Sequence, residues 1–155
     1  MGYLSGPRMT APDVNTVLES AEVQAFASGF PTTLAHLGVT LALLAAGATL
    51  YVLLTPWKEI ALVRQGNTAA ALALGGVLVG LAAPLAVSLS VSTSIKDILV
   101  WGVATVVLQL LVFRLVDMLL HGLAQRIREG QIAAAIVLVG AKLATAMILA
   151  AALSG

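Results

Sequence analysis

The sequence has no cysteine and very little charge. Only 10% of its 155 residues are charged and the net charge is +1, whereas about 25% of the residues in a typical soluble domain are charged. The absence of cysteine excludes disulfides, thiolate metal sites and thiol redox chemistry. Because the net charge is close to zero, the chain offers no basic surface to a polyanion, and we expect no nucleic-acid partner.

Apolar residues dominate what is present. They make up 60% of the chain, and the mean hydropathy is +1.05. A soluble domain of roughly 150 residues buries only about 70% of the surface that its unfolded chain exposes, so it could not hide this much apolar surface from water. The composition therefore argues against a soluble globular enzyme and against a disordered chain. It indicates an integral membrane protein whose main partner is the lipid bilayer.

The positions of the few charges divide the chain into apolar runs. No formal charge occurs between Glu22 and Lys58 or between Arg64 and Lys96, and each gap can hold a spanning helix of about 20 residues. These runs are too long and continuous for the strands of an outer-membrane barrel. The sequence predicts an all-α membrane bundle of four transmembrane helices. The predicted spans are residues 32–54, 68–90, 98–120 and 132–153.

Residues 1–30 are predicted to form an arm that precedes a transmembrane domain over residues 31–155. In the segment 13–28, apolar residues fall roughly on one helical face and acidic residues on the other, which predicts a short amphipathic helix lying on the membrane. An acidic face is not attracted to anionic lipid, so packing against the bundle is the favoured role and docking to a partner is the alternative. Pro31 suits the start of the first span, where a missing N–H is harmless.

The distribution of Lys and Arg near the span ends predicts the orientation. Four basic residues lie in the two links predicted to be hairpin turns, and two lie on the other side. This bias favours cytoplasmic hairpin turns, with the N- and C-termini outside. The residues at the turns are Lys58, Arg64, Arg126 and Arg128, and those on the other side are Arg8 and Lys96.

Two stretches of the chain match when one is shifted by 64 positions. Each contains Arg-x-Gly, then a polar residue, one further residue and three alanines. This match predicts two tandem hairpins, at about 31–90 and 95–155, that share one orientation as parallel repeats. A structural re-entry turn with no chemistry is the simplest interpretation of the motif. The matched residues are Arg64, Gly66 and Asn67 in the first turn and Arg128, Gly130 and Gln131 in the second.

Small residues recur every four positions in three of the spans, a spacing that permits close helix contact in membranes. A bundle of four helices has few internal faces, so some of these stripes are expected to serve contacts between subunits. We therefore expect a homo-oligomer or a subunit of a larger membrane complex. The glycines concerned are Gly38, Gly76, Gly80 and Gly140.

Three charges remain inside the predicted bilayer, and all belong to the second hairpin: Arg114, Asp117 and Lys142. Lys142 lies about 15 Å into its span, near the midplane, where a charge costs about 2.5–3.5 kcal/mol on insertion scales. Gln109 lies at the same level, Asp117 is within reach, and Arg114 can pair with Asp117 along the helix. One acid against two bases leaves three options: Glu59 joins, Lys142 is neutral, or an anion or lipid phosphate enters.

The chain carries no sequence motif of a known enzyme class. There is no phosphate-binding loop, no His-Glu-x-x-His pattern and no nucleophile elbow. His36 and His121 are predicted near opposite membrane faces, so they cannot share a metal. We expect no enzyme activity, no cofactor and no metal site.

Several of these motifs together resemble a known family, the YjfL-like family of bacterial inner-membrane proteins, over roughly residues 35–153. The resemblance implies a small polytopic protein of paired hairpins and implies no activity. Some members are encoded beside phage-shock-type proteins and peptide-ligase-like enzymes, which hints at a role in the cell envelope. The residues that carry the resemblance are Glu59, Leu62, Val63, Arg64, Gly66, Asn67, the alanines 69–71, Gly76, Gly80, Pro84, Leu85, Ala86, Asp97, Trp101, Gly102 and Gln109.

Two functions are consistent with this sequence. The first is a structural or scaffold subunit of a bacterial inner-membrane complex or envelope-stress system, in which the deep charges form a polar tether that fixes helix register. The second is an oligomeric channel or transporter for ions, protons or small solutes that uses the intramembrane cluster of Gln109, Arg114, Asp117 and Lys142 with Glu59.

Overall fold

A computed structural model describes residues 13–15, 20–55 and 58–155. Within these ranges the chain is helical and contains no strand. Four of the helices, α1, α3, α4 and α6, are long and apolar enough to cross a membrane, so the predicted all-α membrane fold is confirmed. The helices are α1 (Ala21–Leu54), α2 (Glu59–Arg64), α3 (Thr68–Val91), α4 (Ile95–Leu119), α5 (Leu123–Arg128) and α6 (Ile132–Ser154).

The chain divides into two compact units, residues 1–35 and 36–155. In the first unit, Val14 and Asn15 are helical and residues 16–19 of the predicted amphipathic helix lie outside the described residues. The structure differs from the prediction at Pro31, which lies inside α1 rather than at the start of a span. Proline within a helix removes one backbone hydrogen bond, and the neighbouring Thr33 hydroxyl donates to the Gly29 carbonyl at 3.2 Å.

The second unit contains two turns that have the same backbone conformation. Gly66 and Gly130 adopt φ values of +84° and +83°, which glycine tolerates best because it has no Cβ. Each turn closes with the two hydrogen bonds of a Schellman motif. In the first, the N–H groups of Gly66 and Asn67 donate to Val63 and Leu62, and in the second those of Gly130 and Gln131 donate to Ile127 and Arg126, all at 2.9–3.0 Å.

The helix bounds follow the same spacing as the sequence match. The short helix α2 runs from Glu59 to Arg64 and α5 from Leu123 to Arg128, a displacement of 64 at both ends. The next long helices, α3 and α6, begin at Thr68 and Ile132, again 64 apart. The two turns therefore occupy corresponding positions in the two hairpins.

Asn67 joins the two turns to each other. Its Nδ2 donates to the carbonyls of Ile127 and Arg128, both at 3.1 Å. Its Oδ1 accepts from the Ala70 N–H at 2.9 Å and so caps the start of α3. Beyond the cap, Ala70 and Ala135 are fully buried, and their small size allows α3 and α6 to pack closely. We call this end of the bundle the turn end.

The four glycines predicted to mediate packing separate into two groups. Gly76 and Gly80 are buried: a Cβ on Gly76 would lie 2.6 Å from both Cγ atoms of Val139, and one on Gly80 would lie 2.7 Å from the ring of Phe113. Gly38 and Gly140 are exposed, and a Cβ on either would meet none of the described residues within 4 Å. Of these four glycines, Gly76 and Gly80 therefore pack helices together in the described part of the chain.

Replacing Gly76 with alanine is expected to destabilise the bundle by about 1–3 kcal/mol. Val139 is β-branched and has one preferred rotamer in a helix, so it cannot turn away from the new methyl group. Thermal unfolding in detergent measures the loss. The matched control is Gly75→Ala, where the methyl meets nothing within 4 Å, and equal midpoints for the two variants would contradict this packing.

Candidate functional site

Lys142 on α6 is buried inside the bundle and holds two partners. Its side chain is 1% exposed, and its Nζ lies 2.9 Å from Asp117 Oδ1 on α4. The same ammonium donates a hydrogen bond to the hydroxyl of Tyr51 on α1 at 2.9 Å. Tyr51 in turn donates to Oε1 of Glu59, at the start of α2, at 3.2 Å. These four residues, which we call the buried cluster, connect three membrane helices and the first turn.

Aromatic rings enclose the ammonium group of Lys142. Its Nζ lies 4.7 Å from the ring centre of Tyr51 and 5.2 Å from that of Phe113, distances at which a cation is attracted to an aromatic ring. The two rings meet edge to face, with centroids 6.2 Å apart. Phe113 is fully buried and fits there because Gly80 on α3 has no side chain to displace it.

The buried cluster contains one basic group and two carboxyl groups. Of the three options left open by the sequence, the structure has the one in which Glu59 approaches Lys142, through the Tyr51 hydroxyl. Burial raises the pKa of the Glu59 carboxyl above its ordinary value, and the positive charge of Lys142 opposes this rise. With a proton on one carboxyl group the cluster is electrically neutral.

Arg114 and Gln109 lie outside the hydrogen-bonded cluster. The Arg114 guanidinium donates to the carbonyl of Leu54 at the end of α1, at 3.4 Å, while Lys142 is the ion-pair partner of Asp117 in the described ranges. The predicted pairing of Arg114 with Asp117 along α4 is therefore not formed. Gln109 is 0% exposed, yet neither atom of its amide has a hydrogen-bond partner among the described residues.

Asp117 connects the cluster to open space at the turn end. Its side chain is 23% exposed and lines a cavity of about 190 Å³ together with Thr55, Arg114 and His121. It also lines a smaller space of about 20 Å³ beside Tyr51 and Glu59. Water at the turn end can therefore reach the carboxyl group of Asp117.

Sequence reasoning missed Tyr51. A tyrosine near the end of a membrane helix usually anchors at the interface, so its spacing gave no reason to place it inside the bundle. The sequence does contain one chemical signal for this residue: Tyr51 carries the one phenol in a predicted span that has no charged side chain. Its ring is apolar enough to be buried, while its hydroxyl can bridge a base and an acid.

The residues of the repeated turn motif have structural contacts. Arg64 and Arg128 are exposed, and Arg128 donates to Gln125 Oε1 at 3.4 Å. Gln131 Oε1 accepts from Nε of Arg126 at 2.6 Å, so it does not reproduce the bridge that Asn67 makes. The motif shapes the turns and lies outside the buried cluster.

Replacing Glu59 with glutamine is expected to flatten the dependence of folding stability on pH. The pKa of Glu59 is higher in the folded chain than its ordinary value of 4.5. The contribution of Glu59 to folding stability is therefore complete below pH 4.5 and is lost as the pH rises through the raised pKa. Glutamine does not titrate, so the variant should keep its stability at neutral pH. Unfolding midpoints between about pH 4 and pH 8 measure this.

A matched control is Glu129→Gln, which removes an exposed carboxyl group at the second turn. It should leave the pH dependence of the unfolding midpoint as in the wild type. If the unfolding midpoint of Glu59→Gln fell as steeply with rising pH as that of the wild type, the raised pKa of Glu59 would be contradicted.

Comparison with known proteins gives one family. The model of a Domain of Unknown Function (DUF350) matches residues 25–153. The UPF0719 inner membrane protein YjfL of Escherichia coli strain K12 and that of strain O157:H7 are each 38% identical over 78 residues, or 50% of this chain. The chain spans 59% of the length of these curated relatives. No solved structure matches it. Since the family model covers most of the sequence, the chain belongs to the DUF350 family of membrane proteins.

Proposed function

We propose that this chain is a protein of the bacterial inner membrane that moves protons, alone or with a small solute, through its buried cluster. The observation that carries the proposal is the cluster itself: one ammonium, two carboxyl groups and a phenol joined by contacts of 2.9–3.2 Å inside a membrane bundle. Ionisable groups within membrane helices are rare and mark ion and proton pathways. The relatives are named inner membrane proteins, which supports the location.

Charge balance favours a proton as the species that moves. Lys142 offsets one of the two carboxylates, Asp117 and Glu59, and one more proton neutralises the other. An uncompensated charge in a low-dielectric interior is costly, so the cluster should gain and lose this proton as its surroundings change. The Tyr51 hydroxyl lies between Lys142 and Glu59 and can pass a proton along the chain of hydrogen bonds.

Access to the cluster differs between its two sides. Asp117 faces the cavity at the turn end, whereas Phe113 covers the ammonium of Lys142 with a fully buried ring. On the same helix, Thr105 and Gln109 are buried without hydrogen-bond partners in the described part of the chain. Gln109 and Thr105 lie on the buried face of α4, one and two helical turns before Phe113 respectively. Water could satisfy their polar atoms if the ring of Phe113 moved, which would open a second half of the path.

The predicted orientation indicates which side of the membrane the open end faces. The surplus of Lys and Arg at the turns favours a cytoplasmic location for the turn end. The cluster would then exchange its proton with the cytoplasm in the present conformation. Movement of the Phe113 ring would connect it to the outside, in the manner of a gated path.

Proton flux into liposomes tests this function. Vesicles that hold a pH-sensitive dye and the wild-type protein should acidify under an imposed membrane potential faster than protein-free vesicles. Asp117→Asn and Lys142→Leu should each reduce this flux at least tenfold, because each removes a member of the proton chain. Lys96→Gln removes an exposed base at the other end of the bundle and should leave the flux unchanged.

Two results would overturn the proposal. One is a wild-type protein as silent as empty vesicles towards protons, common ions and polyamines. The other is an Asp117→Asn variant that conducts as well as the wild type. If Lys142→Leu fails to fold, Glu59→Gln takes its place in the flux assay, because this change keeps the size of the side chain and the hydrogen bond to Tyr51.

A second function, a scaffold subunit, is favoured by a separate observation. Gly38 with Ala42 and Ala46 on α1, and Gly140 with Ala144 on α6, are exposed. Small residues on a membrane helix allow close approach of another helix, and no atom of the described residues lies within 4 Å of a Cβ placed at either glycine. These two stripes are available to a second copy or to another membrane protein.

Replacing Gly140 with leucine tests the scaffold role. The wild type, extracted in mild detergent, should run as an oligomer or a complex, and Gly140→Leu should shift it towards the monomer without lowering its thermal stability. Val107→Leu, a change at an exposed position of α4, is the control and should not alter assembly. A wild type that is monomeric and brings down no partner would exclude this role.

A further inference from the structure

A cavity lies at the end of the bundle opposite the turns, far from the buried cluster. Its volume is about 290 Å³, close to the lower limit of small-ligand sites. It opens between the link that joins α3 to α4 and the last turn of α6. Polar groups line it together with apolar ones. Its lining includes Ser88, Asp97, Trp101, Val91, Ala152 and Leu153.

Ser88 presents a buried hydroxyl to this cavity. The residue is 1% exposed, and its Oγ has no hydrogen-bond partner among the residues that the structure describes. Buried hydroxyl groups are nearly always hydrogen-bonded, and an exception calls for an explanation. Ser88 is part of the cavity wall, and rotation of its side chain would bring the hydroxyl to a bound ligand.

Asp97 supplies a fixed negative charge at the same cavity. Its Oδ2 accepts hydrogen bonds from the hydroxyls of Thr93 at 3.0 Å and Ser94 at 2.8 Å, and these hold the carboxylate in place. The neighbouring base Lys96 is exposed and is not in the cavity wall. The cavity therefore carries one unbalanced acidic group.

Two helix ends add to the negative potential. Val91 is the last residue of α3, and Ala152 and Leu153 belong to the last turn of α6. The carbonyl groups at a helix C-terminus carry a partial negative charge that favours cations. The N-terminal turn of α4, in which Asp97 lies, carries the opposite partial charge, so the formal charge of Asp97 is what favours a positive ligand.

Trp101 gives the cavity an aromatic wall. It is 56% exposed and lies two turns into α4, at the depth where tryptophan meets the lipid headgroups. An indole face attracts ammonium groups, and Val91, Ala152 and Leu153 offer apolar contacts for the methylenes that follow such a group.

We infer that this cavity binds a primary ammonium group, with Asp97 as its charge partner, Ser88 as a hydrogen-bond acceptor and Trp101 as an aromatic wall. The two oxygen acceptors favour a primary ammonium, which has three N–H donors, over a quaternary one, which has none. The ligand is either the ethanolamine headgroup of a lipid or a free small amine. Both present the same chemistry to the site.

Tryptophan fluorescence tests this inference on the full chain. In a Trp57→Phe background, Trp101 is the only tryptophan. The protein is placed in phosphatidylglycerol vesicles, which contain no ammonium group, and titrated in one arm with phosphatidylethanolamine and in the other with free ethanolamine. A saturable change in emission in the lipid arm only assigns the site to the headgroup, and a change with free ethanolamine extends it to soluble amines.

Variants show whether the named residues bind the ammonium group. Asp97→Asn should weaken binding about tenfold or more, because it removes the charge partner. Ser88→Ala should weaken binding severalfold while leaving the unfolding temperature unchanged or higher, since the hydroxyl has no partner to lose. Lys96→Gln is the control and should not weaken binding.

The inference fails if neither phosphatidylethanolamine nor ethanolamine changes the emission of Trp101. It also fails if phosphatidylcholine, whose ammonium has no N–H, binds as tightly as phosphatidylethanolamine, or if Asp97→Asn binds as the wild type does. Ser88→Ala distinguishes a binding role from a structural one, because only a structural role would lower the unfolding temperature.

Discussion

The ion pair between Lys142 and Asp117 is the constraint on which the rest of this bundle depends. A charge placed about 15 Å into a membrane helix costs about 2.5–3.5 kcal/mol unless it finds partners. Lys142 extends its side chain along α6 to reach the carboxylate on α4 and the hydroxyl of Tyr51 on α1. A single ammonium group on α6 therefore contacts polar side chains of two other membrane helices.

The two hairpins use the same backbone scheme and differ in chemistry. Both turns have the Schellman geometry around a glycine of positive φ, and both lead into helices that pack through alanines. The positions equivalent to Gln109, Asp117 and Lys142 in the first hairpin are Ala45, Leu53 and Leu78. The first hairpin contributes Tyr51 and Glu59 instead, so the cluster forms where the two halves meet.

Much of the fold follows from the sequence, because charges are so rare that their positions mark the ends of the spans. The four spans, the two turns and the proximity of Lys142 to Asp117 come from this pattern. Two features do not. Pro31 resembles a helix start but lies within α1, and the flanking Gly29, Thr32 and Thr33 are weak helix formers that give no signal of a continuing helix. Tyr51 resembles an interface anchor, and its inward position depends on contacts with Phe113 and Lys142, which belong to other helices of the bundle.

The most direct test of the account is a double-mutant cycle between Lys142 and Asp117. Unfolding free energies are measured in detergent for the wild type, Lys142→Met, Asp117→Asn and the double variant. We predict a coupling energy of about 1–3 kcal/mol, because Asp117→Asn leaves the buried ammonium of Lys142 without its charge partner. Additive effects, within about 0.5 kcal/mol, would show that the two groups do not interact and would contradict the account.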